Sequence, residues 1–151
     1  MPPAARAQVD LTAHPLPGIL TPGPGSPNVI IGFFPAWRGI PLAAVAALQT
    51  AKAAADTAVA AAQGTPGFAA AQVSAAATMS TAIASAAGLA DKHMCATPFP
   101  PTPHGVGVDI TGSATVQINF LPAGRQGDTI LEALGPPNTI SKGELTVLIG
   151  G

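Results

Sequence analysis

Three stretches of the chain repeat one pattern of apolar and polar positions. They are Gly25-Ser-Pro-Asn-Val-Ile-Ile-Gly32, Gly112-Ser-Ala-Thr-Val-Gln-Ile-Asn119 and Gly143-Glu-Leu-Thr-Val-Leu-Ile-Gly150. Each opens on glycine, sets Val and Ile two apart, and closes on Gly or Asn. A period of two places Val and Ile on the same face of a strand, and the closing residue tolerates positive φ. None of the three can bury its apolar face alone, so the pattern predicts three short strands around a shared core with pseudo-threefold symmetry. Between the first two copies the period changes. From Pro41 to Ala90 the chain is rich in Ala, with Leu42, Val45, Leu48, Ala55, Val59 and Ala62 along one stripe. After the break Gln63-Gly-Thr-Pro-Gly67, a second stripe of Val73, Ala76, Ile83 and Ala87 ends at Gly88. The spacing predicts two helices, the first opening at Pro41 and the second running from about Phe68 to Ala87 with Gly88 as its cap.

The expected fold class is therefore mainly β: a small body of short strands, residues 1–40 and 91–151, interrupted by an Ala-rich α-helical hairpin, residues 41–90. Val9 and Leu11 alternate around Asp10 as an edge strand. Outside the insertion the chain is dense in Pro and Gly, which break long helices and favour tight turns. Phe33, Phe34 and Trp37 carry much of the large aromatic surface; they are expected to cap a small core, the other reading being a docking surface. The two helices are long enough to span a bilayer, but Ala is weakly apolar and Lys52 and Asp56 lie mid-helix, so a close-packed hairpin is expected instead.

Composition narrows the function. The 151 residues carry a net charge of −1, and only 9% are charged. Without a basic patch, a nucleic-acid partner is not expected. Residues 1–6 contain no continuous apolar run of the kind a signal peptide needs, so synthesis for the cytoplasm is expected. The single cysteine, Cys95, has no intrachain disulfide partner.

The candidate chemistry follows the insertion. His93 and Cys95 are two apart and face the same way on an extended backbone; His104 returns across a Pro-rich loop, and His14 is brought in by the fold. Three His and one Cys, all that the chain has, make a complete set for tetrahedral zinc. A zinc enzyme is the competing class. A hydrolytic site needs an open position and a general base, and only Asp91 lies nearby, where it is better placed to orient a ligand or turn. The chain is expected to be non-catalytic.

Several of these motifs together resemble the PAAR-repeat family: Gly23-Pro-Gly-Ser-Pro-Asn-Val-Ile-Ile-Gly32, Pro35-Ala-Trp-Arg38, Asp91-x-His93-x-Cys95, Gly112-Ser-x-Thr-Val-x-Ile-Asn119 and Gly135-Pro-Pro-Asn138. The resemblance spans most of residues 1–40 and 91–151. It implies a small cone of short strands that caps and sharpens the trimeric VgrG-like spike of a type VI secretion or related contractile injection system. It implies zinc held by His14, His93, Cys95 and His104, and a protein that is cytoplasmic before firing and then secreted with the spike, meeting a membrane only during injection. Two features depart from the family pattern. One Pro-Ala-Ala-Arg position reads Pro122-Ala-Gly-Arg125, a change expected to be mild. The helical insertion replaces a short connection; the alternative it raises is an adaptor that attaches an effector or chaperone, or contacts a membrane.

Overall fold

A computed structural model describes residues 1–150. The strands are short: β1 (Pro3–Ala4), β2 (Pro22–Gly23), β3 (Ile30–Ile31), β4 (Phe34–Pro35), β5 (Lys92–Phe99), β6 (Thr102–Asp109), β7 (Gln117–Ile118), β8 (Leu121–Pro122), β9 (Thr129–Glu132), β10 (Asn138–Thr139) and β11 (Glu144–Leu148). Two helices, α1 (Leu42–Ala62) and α2 (Phe68–Ala87), lie between β4 and β5. The molecule is a small β body with a helical hairpin, as the alternation of periods predicts. A five-stranded antiparallel sheet has the order β10-β9-β6-β5-β2, and β1-β11, β3-β4 and β7-β8 form separate pairs.

The three repeats do meet in one core. Ile31, Ile118 and Ile149 are buried together, with Val29, Val116 and Val147 packed around them. Ala4, Ala36 and Ala123 complete this cluster. Each of these alanines follows a proline, in Pro3-Ala-Ala-Arg6, Pro35-Ala-Trp-Arg38 and Pro122-Ala-Gly-Arg125. The residue after each alanine closes a circle of backbone hydrogen bonds. Ala5 N–H donates to Gly124 O (2.9 Å), Gly124 N–H to Trp37 O (2.8 Å), and Trp37 N–H to Ala5 O (2.8 Å). The arginine that comes next is paired with an aspartate in every copy: Arg6 with Asp10 and Arg38 with Asp91, both buried, and Arg125, partly buried, with Asp128. In each pair the aspartate also accepts the arginine's own backbone N–H, at 2.7, 2.8 and 2.7 Å. A planar guanidinium held by a carboxylate through several charge-assisted bonds fixes the chain direction at each corner. The structure thus has an internal threefold pattern in its apolar core, its backbone bonding and its ion pairs.

The copies are also stitched end to start. Asn119, closing the second copy, bonds Ser26 (2.6 Å) and Asn28 (2.8 Å) at the start of the first. Gly32, closing the first, has its α-carbon against Arg6 and Glu144, the latter at the start of the third. Gly150 O, closing the third, accepts from Ser113 at the start of the second.

Some expectations give way here. Val9 lies in a turn beside Gln8, whose φ is 68°, and the strand at the N-terminus is β1, where Pro3 and Ala4 pair with β11. Trp37 does not cap anything: it is fully buried, in a cluster with Ala5, Ala7, Leu20, Ile130 and Ile140. Phe33, by contrast, is 97% exposed. Gly124 is also more constrained than a mild replacement implies. A methyl group there would stand 2.7 Å from Trp37 Cδ1, so Trp37 occupies room that Gly124 leaves.

The hairpin docks on the sheet through the largest apolar cluster, in which Leu48, Val59, Met79 and Ile83 meet Val108, Ile110, Leu131 and Leu134. On α1, Leu48, Lys52, Ala55 and Val59 are buried and Leu42 is exposed. On α2 the buried face is Gln72, Ala75, Met79, Ile83 and Ala87, with Val73 outside. In an Ala-rich helix the few large side chains set the face: Ile83 and Ala87 of the expected stripe are buried, while Met79, Ala75 and Gln72 take the places expected of Val73 and Ala76. Gly88 caps α2 with φ 54°. Lys52 Nζ donates to Asp56 and to Gly135 O, tying α1 to the loop after β9. No helix among the described residues is long and apolar enough to cross a membrane.

Candidate metal centre

The sheet brings the chemistry together. On β5, His93 and Cys95 are both buried and lie on the same side, as their spacing predicts. β6 runs back antiparallel and carries His104; Gly107 stands opposite His93 and Gly105 opposite Cys95. Gly107 in turn pairs with Glu132 on β9. A Cβ at Gly107 would lie 2.9 Å from Glu132 Cγ and 2.8 Å from Ile130 Cγ2. Glycine at this position leaves room for the Glu132 side chain. His14 reaches the same place from the N-terminal segment, its backbone N–H donating to the Asn138 side chain at 2.9 Å.

His14, Cys95, His104 and Glu132 form a cluster in which one donor atom from each lies within 4.8 Å of the others. Cys95 Sγ is 3.6 Å from His14 Nδ1. Glu132 Oε2 is 3.0 Å from His14 Nδ1 and 2.7 Å from His104 Nδ1. Around a tetrahedral ion with bonds of about 2.0–2.3 Å, neighbouring donors stand about 3.3–3.7 Å apart. The donor set and its spacing therefore fit a metal ion after small adjustments. Cys95, His104 and Glu132 are buried and His14 is partly so. Burial pushes the Cys95 thiol above its usual range, so the thiolate needs a compensating positive charge.

Three of the four sequence-predicted ligands are in this group. His93 is not among the four, but it is fully buried, and among the described residues neither ring nitrogen has a partner at good hydrogen-bond geometry, though the Thr21 backbone acts on the ring. Burial lowers its pKa, against the pull of Glu132, so the imidazole is held neutral within electrostatic reach of the cluster. A buried imidazole so poorly partnered is costly unless something engages it. Glu132 escaped the sequence reading. Its signal was an acidic residue inside the apolar run Ile130-Leu-Glu-Ala-Leu134. Its second oxygen, Oε1, accepts from Asn138 Nδ2 at 2.9 Å, so the Gly135-Pro-Pro-Asn138 segment anchors both Glu132 and His14. Gly135 packs on the His104 ring: a Cβ there would meet Nε2 at 2.5 Å. Asp91, expected to orient a ligand or turn, makes no bond to the cluster among the described residues; it pairs with Arg38 and accepts from the N–H of Gly25, a positive-φ residue, at 2.7 Å.

No family model, no curated protein and no solved structure matches the chain.

Proposed function

We propose that this chain is a non-catalytic, zinc-stabilised tip for a homotrimeric spike, a member in kind of the PAAR-repeat proteins of contractile injection systems. The observation that carries the reading is the closed threefold pattern of core, backbone ring and arginine–aspartate pairs built from a single chain. A single chain with three similar corners matches the blunt end of a trimer, where three identical chains present the same surface at 120° intervals. The motifs singled out in the sequence have matching structural duties. Val-x-Ile fills the axis, Pro-Ala-x-Arg closes the ring, and Gly-Pro-Pro-Asn supports the metal centre.

The metal reading is part of this proposal. His14, Cys95 and His104 supply three ligands to zinc. The fourth place belongs to Glu132, already in contact, or to His93, whose poorly partnered nitrogens support the set implied by the resemblance. Zinc would crosslink the N-terminal segment to β5, β6 and β9, giving a small Pro/Gly-rich body stability that its limited core does not supply.

The test is stoichiometric. Mixed with a recombinant VgrG-like spike trimer from the same organism, the chain should elute as a complex of one tip per three spike chains by size-exclusion chromatography with light scattering. Three tips per trimer, or no complex, would reject the reading.

A further inference from the structure

The first two repeats end in the same unusual way. The β3–β4 pair turns on Gly32 and Phe33, with φ of 52° and 72°. The β7–β8 pair turns on Asn119 and Phe120, with φ of 53° and 65°. Two consecutive left-handed residues make a type I′ hairpin turn, whose second position strongly favours glycine. Both turns place phenylalanine there. The two rings gain no shelter in exchange, since Phe33 is 97% and Phe120 93% exposed. In the third copy the corresponding residue is glycine, Gly151, which lies outside the described residues.

A bulky aromatic in left-handed backbone strains the turn. An exposed aromatic also contributes little to the core. That both occur together, twice, at positions equivalent under the internal repeat, is not explained by folding of the isolated chain. The turns are braced by neighbouring copies, because Asn119 bonds Ser26 and Asn28, and a Cβ on Gly32 would meet Arg6 and Glu144. The aromatic rings are thus presented by short, braced hairpins. The adjacent outward positions of the Val-x-Ile units, Ile30 and Leu148, are also more than half exposed.

We infer that Phe33 and Phe120 are a matched pair of anchors that insert into equivalent apolar pockets on two of the three chains at the end of a homotrimer. The inference rests on the spike-tip reading and deepens it by naming the contacts. The internal repeat argues for this occupant: two like side chains at repeat-related corners call for two like pockets, which a symmetric trimer end supplies. Buried aromatic anchors surrounded by polar groups dominate such interfaces. Here the surrounding polar groups include Asn28 and Asn119.

Replacing either phenylalanine with glycine separates strain from recognition. In Phe33→Gly and Phe120→Gly the isolated chain should gain roughly 2–4 °C in Tm, because glycine suits the turn. The same variants should bind a recombinant VgrG-like trimer at least about tenfold more weakly by calorimetry, and the double variant more weakly still. Variants that bind like the native chain overturn the inference while leaving the spike reading intact. A fall in Tm also overturns it, since the rings would then be structural. Failure of the native chain itself to bind the trimer overturns the spike reading and the anchors with it.

Discussion

Asp109 is the residue whose chemistry is least expected in so weakly charged a chain. It is fully buried at the end of β6, its Oδ1 accepts from Thr111 N–H at 3.0 Å, and Oδ2 has no partner at good hydrogen-bond geometry among the described residues. Burial, reinforced by the nearby charge of Asp128, pushes its pKa up to about 8. The folded protein therefore keeps a proton that the unfolded chain releases near 3.8. The resulting stabilisation is complete below pH 4 and is lost as pH rises towards 8, at a limiting slope of about 1.4 kcal/mol per pH unit. Asp109→Asn should remove this slope. In urea titrations at pH 5 and pH 7.5, native protein should lose up to about 3 kcal/mol relative to the variant. Equal changes in both proteins would mean that the carboxyl is ionised in the fold. Residue-scale chemistry was only partly legible beforehand. His14, His93, Cys95 and His104 stand out because metal-binding residue types are rare here, whereas nothing in the spacing of the chain's few acids singles out Glu132 or Asp109. Acidic residues are usually exposed, and only tertiary packing revealed that these two are not.

At the scale of elements, period was informative and facing only in part: Leu48, Ala55, Val59, Ile83 and Ala87 are buried as their spacing predicts, and Leu42 and Val73 are not. Both helices are where their spacing places them, whereas the Val-x-Ile units are strand only over Ile30–Ile31, Gln117–Ile118 and Glu144–Leu148, in three separate pairs whose apolar side chains share one cluster. Which side of a helix is buried depends on contrast between faces, and alanine offers little. Hence Val73 is exposed while Met79 takes the core position. The same limit applied to Phe33 and Trp37, where sequence could not say which aromatic turns inward. The hairpin's attachment follows from a few large side chains. Met79→Ala, at a fully buried site in the shared cluster, should cost about 2–5 kcal/mol in chemical denaturation. Val73→Ala, on the opposite face, should cost less than about 1 kcal/mol apart from helix propensity. Comparable losses would indicate that α2 is rotated.

For the whole molecule, the candidate metal centre is the joint between parts distant in the chain. It gathers the segment before β2, the β5–β6 hairpin and β9, and Gly135 links it to Lys52 on the helical hairpin. Purified protein should contain one zinc per chain by elemental analysis. Chelation should lower Tm, and Cys95→Ala should abolish zinc retention. Comparing Glu132→Gln with His93→Ala decides the fourth ligand, because only loss of a true ligand should reduce affinity more than about 100-fold. Full zinc content in Cys95→Ala would reject the centre.

The circle through Ala5, Gly124 and Trp37 has a further consequence. At each link one unit gives and another receives, and after three links nothing is left over. A fourth unit would find no vacancy, and two would leave a gap. Such an arrangement ends rather than extends: at these three positions, neighbouring copies meet no open backbone seam along which to add themselves.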